Sequence, residues 1–187
     1  MFLYHYFEKE KGPFITLSDL PDDEAIKIHN SLEINDNNFS KRNFDGKYIL
    51  NRRIIENWLY VAFMKKDGKP ERKNPHYMIL SECNDPKNWF NQMDYIKIPF
   101  NEFNLDTVSF TYGDSFPTFF EAHFGNKSEY ILNVYKYNEI LELIDKYGLP
   151  QNDPKEYFSY IEAQIWSNEI INKYKMWKMV FTSPNKR

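Results

Sequence analysis

The chain has 187 residues, a formal charge of −3, one cysteine and six glycines, and 14 Tyr, 16 Phe and 4 Trp make 18% of it aromatic. Its length suits a single globular domain spanning 1–187, able to bury about 70% of its unfolded surface without help from a disulfide or a metal. The mild acidity argues against bulk nucleic-acid binding, the scattered glycines exclude a Gly-rich phosphate cradle, and Cys83 alone excludes an internal disulfide.

Phe2 to Phe7 is a short aromatic run that predicts a strand, with Phe2, Tyr4 and Tyr6 on one face and Leu3, His5 and Phe7 on the other. His5, Glu8, Lys9, Glu10 and Lys11 interrupt the N-terminal segment, so it does not read as a signal peptide. Ser18 to Glu24 offers capping side chains, a proline and three acids at the positive end of a helix dipole. Ala25, Ile28, His29 and Leu32 continue at helical spacing. Asn35 to Gly46 is polar and predicts a loop. Ile55, Trp58, Leu59, Ala62 and Phe63 predict a second helix, over Tyr48 to Lys65. Its longest apolar run, Trp58 to Met64, is too short to span a membrane, so a cytoplasmic chain with no membrane partner is expected.

Lys65 to Pro75 holds five basic and two acidic residues with one glycine and two prolines, and predicts an exposed loop. His76 to Ser81, Tyr95 to Pro99 and Thr107 to Tyr112 predict strands, with irregular chain over Glu82 to Gln92. Tyr112 to Thr118 reads as a distinctive loop, and Tyr130 to Tyr135 as a further strand. Asn138 is placed to cap a helix running to Tyr147 and stopped by Gly148 and Pro150. Phe158 to Trp166 and Met176 to Phe181 predict the last strands. Early helices and late strands, without a βαβα rhythm, point to an α+β domain with a mostly antiparallel sheet and three or four helices.

Glu162 is the acid that stands out. Strand alternation sets Ile161, Ala163 and Ile165 on an apolar face and Tyr160, Glu162, Gln164 and Trp166 on the other. A carboxylate between an amide and large aromatics suits a cleft floor, where burial lifts its pKa toward the range useful for handling a hydroxyl proton; a shielded, solvated sheet face is the alternative. His5 would hydrogen-bond a ligand or be satisfied by core partners. Arg72 and Lys73, before His76 and Tyr77, would pair a phosphate or simply lie in a solvated loop. Asp114 and Ser115 would bind ligand hydroxyls or cap their own turn. The four histidines lie far apart and suggest no metal site. Cys83 has no neighbour in sequence that would activate it.

Two resemblances complete the reading. Leu3 to Phe7, Lys69 to Met78, Val108 to Thr118 and Tyr160 to Trp166 resemble a family of stand-alone bacterial proteins that brings no established activity. The layout (an opening strand with Tyr4-His5, two helices, a strand entering at Tyr77, then a late strand with Glu162) resembles the ADP-ribosyltransferase-like fold. In members with a His-Tyr-Glu triad the His holds the NAD ribose, the Tyr stacks on nicotinamide, and the Glu orients a hydroxyl. The resemblance thus implies NAD as cofactor, with His5, Tyr77 and Glu162 in those roles. It departs at Tyr160, where members often carry a polar residue, and at Ser81-Glu82-Cys83. The other class in view is a non-catalytic module that recognises a protein partner through an aromatic-rich surface.

Overall fold

The computed structural model describes residues 1–31, 47–121, 125, 127–154 and 159–182. Five strands form one antiparallel sheet in the order β3-β1-β2-β5-β4. They are β1 (Phe2–Glu8), β2 (His76–Leu80), β3 (Met93–Pro99), β4 (Val108–Tyr112) and β5 (Ile161–Ile165). Among the described residues five α-helices accompany it: α1 (Asp22–Ser31), α2 (Tyr48–Met64), α3 (Ser115–Glu121), α4 (Tyr137–Tyr147) and α5 (Glu169–Thr182). The result is a single α+β domain. Among the described residues no helix is long and apolar enough to cross a membrane.

Register sorts the side chains. Leu3 pairs with Leu80 and Leu80 with Ile161, so Leu3, His5 and Phe7 share the face of Ile161, Ala163 and Ile165. That face carries the larger core, in which Met78, Ile98, Phe110 and Val108 pack beneath Ile140 and Leu143 of α4 and Ile171 of α5. Tyr4 pairs with Ile79, and Ile79 with Glu162, which puts Tyr4, Tyr6, Tyr77, Glu162 and Gln164 on the opposite face. There α2 lays Ile55, Leu59 and Phe63, at helical spacing, against Trp166, just past the end of β5, and Phe116 of α3. Each such side chain contributes about 1.5–3 kcal/mol by leaving water.

Three stretches depart from the sequence expectation. Tyr112 to Thr118 is a loop only as far as Asp114. The Asp114 carboxylate accepts the Phe116 N–H at 2.8 Å, and α3 begins at Ser115. Gly113 makes the turn at φ 106°, a region that favours glycine. Tyr130 to Tyr135 is not a strand: Leu132 turns at φ 55°, and the segment pairs with the sheet at Tyr135 alone, opposite Phe110. Met176 to Phe181 belongs to α5 rather than to a strand, and the first turns of that helix bring Ile170, Ile171 and Tyr174 onto the core. Lys136, not Asn138, caps α4, its N–H donating to the Glu139 carboxylate at 2.7 Å. The loop expected over Asn35 to Gly46 and the expected strand residue Phe158 lie outside the described residues.

Candidate functional site

Beyond Leu3 and Tyr4, β1 and β2 separate. His5 fills the split: its Nδ1–H donates to the Tyr77 carbonyl at 3.0 Å and its Nε2 accepts the Phe14 N–H at 2.9 Å. Phe14 stacks on the imidazole with ring centroids 4.0 Å apart. The split opens into a cleft of about 410 Å³ on the α2 face, within the size range of small-molecule sites. Glu162 and Asp114 lie on its floor, Tyr4, Tyr6, Tyr77, Trp89 and Tyr160 form its walls, and Arg52, Arg53 and Ser18 reach it from α2 and from the Leu17–Asp19 turn.

Glu162 is 6% exposed and sits in a row of buried polar groups. Gln164 Nε2 donates to its Oε1 at 3.0 Å and to Thr111 Oγ1 at 3.2 Å. Ser109 donates to Gln164 Oε1 at 2.8 Å, and the Trp166 indole N–H donates to Ser109 Oγ at 2.8 Å. This chain fixes the carboxylate from below. Burial, reinforced by the nearby Asp114 charge, raises the Glu162 pKa to about 7, against the pull of Arg52, Ser115 and Gln164. A carboxylic acid poised there exchanges a proton readily near neutral pH. Ser115 lies beside it, although its Oγ makes no well-formed hydrogen bond.

Asp114 is tied down at both ends. One oxygen caps α3 and the other accepts the Tyr160 hydroxyl at 2.7 Å. Its part in the site is to fix Tyr160 and to repel charge on Glu162. Tyr77 is held well above the ordinary phenol pKa by burial, with Arg52 pulling the other way, so it stays protonated and donates to Glu56 Oε1 at 3.3 Å. Ser18 donates to the same oxygen at 2.6 Å, and Arg52 Nε at 3.2 Å. The Arg52 guanidinium lies 3.8 Å above the centre of the Tyr77 ring.

The expected site residues therefore divide. Glu162, Tyr77 and Asp114 share the cleft. Ser115 and Gln164 are fully buried beneath it, and Gln164 positions the carboxylate through its amide. His5 borders the cleft from the opposite face of the sheet, and both ring nitrogens are engaged by backbone, which is the alternative to holding a ligand. Arg72 and Lys73 stand apart from the cleft. Arg72 donates to Asp19, Asn168, His76 and the Asn74 carbonyl, stitching the Leu17–Asp19 turn to the start of α5, and Lys73 is exposed. Cys83 is buried, which pushes its thiol pKa up and away from nucleophilic use. Among the described residues no group of three or more His, Cys, Asp or Glu is placed to hold a metal.

Arg52, Glu56 and Ser18 escaped the sequence reading. The i, i+4 spacing of Arg52 and Glu56 was visible, but such pairs are common on solvated helix faces. Only the burial of α2 against Tyr77 makes this one a cleft wall. Compared with known family profiles, curated proteins and solved structures, the chain matches none of them.

Proposed function

We propose that the cleft is the active site of an enzyme that takes a nucleotide-type ligand, and that Glu162 handles the proton of a hydroxyl group there. The observation that carries this reading is the Glu162 carboxyl, buried on the floor of an aromatic-walled cleft and poised near neutrality. Perturbed acids in such clefts are where catalytic groups concentrate. The ADP-ribosyltransferase-like resemblance supplies NAD as the candidate substrate. The bond between the nicotinamide nitrogen and the ribose would break, nicotinamide would leave, and an acceptor hydroxyl would bond to the ribose carbon as its proton passes to Glu162. Tyr77, a wall of the same cleft whose phenol feels the Glu162 charge, takes the aromatic role on this reading, while His5 serves it by holding the split between β1 and β2.

The test is a thermal-shift series with NAD, ADP-ribose, AMP and adenosine, followed by assay of nicotinamide release. A ligand that binds only the folded state raises the melting temperature. Wild type should shift with NAD or ADP-ribose, and E162Q should keep that shift while losing 10²–10⁴-fold in turnover, the usual loss on removing an acid–base group. The absence of any shift at millimolar nucleotide would sink the reading.

A non-catalytic reading draws on one observation. Tyr4, Tyr6 and Tyr95 form a cluster on β1 and β3, with centroids 5.9 to 6.0 Å apart, and Tyr95 is 48% exposed. Such a cluster could receive a protein partner. The few exposed aromatics weigh against it: among the described residues the large ones are Phe2, Tyr95 and Tyr147.

A further inference from the structure

We propose that Arg52 is the anion-binding residue of the cleft, its two terminal nitrogens gripping an oxyanion of the ligand beside Glu162. On the nucleotide reading this oxyanion is a phosphate, and the proposal rests on that reading for the identity of the anion, though not for its binding. Arg52 is held from two sides. Its Nε donates to Glu56, whose accepting oxygen is itself fixed by Ser18 and Tyr77, and its guanidinium carbon lies 3.8 Å from the centre of the Tyr77 ring. The side chain is only 17% exposed. Yet among the described residues no hydrogen bond reaches either terminal nitrogen, and no ion pair joins Arg52 to Glu162. A guanidinium carries five N–H donors in a fork matched to carboxylate and phosphate oxygens. Here one donor is used to orient the group, and the fork is left at the cleft.

Arg53, the next residue, shows what a purely structural arginine looks like in the same wall. Its Nε donates to Asp22, and its two terminal nitrogens donate to the Ser18 and Leu20 carbonyls. Both arginines line the cleft, but only Arg52 keeps its fork for something else. Burial works against the Arg52 charge, and the surrounding Tyr77, Tyr48, Glu56 and Glu162 outweigh it, so the group remains a cation. A buried cation with unused donors gains most when an anion arrives. Glu162 is close enough to feel that charge, so an anion on Arg52 sets the rest of the ligand against the Glu162 carboxyl.

The test is calorimetric titration with adenosine, AMP, inorganic pyrophosphate and citrate against wild type, R52K, R53Q and the double variant R52Q/E56Q, which avoids stranding a buried carboxylate. Wild type should bind AMP at least tenfold more tightly than adenosine. R52K should narrow that gap, R52Q/E56Q should close it with adenosine affinity kept, and R53Q should lower stability while leaving the gap intact. A gap that survives in R52Q/E56Q overturns the proposal. Should wild type bind neither adenosine nor AMP, the nucleotide reading fails, and pyrophosphate and citrate then decide on Arg52 alone. Binding of either that R52K weakens tenfold upholds the anion site, and no binding, or binding indifferent to R52K, overturns it.

Discussion

Glu162 and His76 make stability depend on pH in opposite directions. The Glu162 pKa is raised to about 7 in the fold, so from about 4.5 to about 7 the native state holds a proton that the unfolded chain has lost, and stability falls as pH rises through that window. His76 is lowered to about 4, by burial first and then by the Arg72 charge beside it. Between about 4 and about 6.5 the unfolded chain therefore holds the extra proton, and stability rises with pH. E162Q should remove the first trend and leave a stability that climbs from pH 4 to 6.5, and it should be more stabilising relative to wild type at pH 8 than at pH 4.5. H76Q should leave the falling trend alone. Urea melts across that range check both, and parallel profiles for the two variants would refute the assignment. Of these two groups the sequence pointed to Glu162, because strand alternation alone sets it apart from Ile161 and Ala163. The fate of His5, Arg72 and Arg52 was not legible. Whether a ring nitrogen or a guanidinium is taken up depends on Phe14, Asp19, Asn168 or Glu56, each brought near by the fold rather than by spacing.

Elements with a strict period were readable, and those decided by one backbone angle or one cap were not. The strand β5 and the helix α2 follow from alternation and from the 3.6-residue repeat. The false strand at Tyr130 to Tyr135 alternates in hydrophobicity but turns at Leu132, and the supposed loop at Tyr112 to Thr118 becomes a helix because Asp114 caps it. The end of α2 shows how closely such details are fitted. The Gly68 N–H donates to the Phe63 carbonyl at 3.1 Å, and a Cβ on Gly68 would lie 2.6 Å from the Phe63 ring. That ring is fully buried against Trp166, so it has little room to yield. G68A should destabilise by about 1–3 kcal/mol, the usual cost of overpacking, in chemical denaturation. A loss below 0.5 kcal/mol would mean that Phe63 relaxes freely.

Among the described residues, one sheet separates the apolar core under α4 from the one under α2, and β2 serves both, through Met78 and Leu80 on one face and Tyr77 on the other. Leu59 anchors the core under α2 and Ile140 the core under α4, both fully buried. L59A and I140A should each cost about 2–5 kcal/mol. Because β2 packs on both cores, either variant should still unfold in one transition, with circular dichroism and Trp fluorescence coincident. Two separated transitions would show that the cores fold apart. The aromatic excess of the sequence divides at this scale: Phe7, Phe100, Phe103 and Phe110 fill the core under α4, Phe63, Phe116 and Trp166 the core under α2, and Tyr4, Tyr6, Tyr77 and Tyr160 wall the cleft with Trp89. The rims of the sheet have their own consequence. Phe110 on β4 exchanges both backbone hydrogen bonds with Tyr135, at 2.9 and 2.8 Å, and β3 at the other end carries Asp94, Lys97 and Pro99. A stray strand from a neighbouring molecule would find this position already occupied at one rim, and charge and a missing N–H at the other. These residues protect an aromatic-rich chain from edge-to-edge aggregation in a crowded solution.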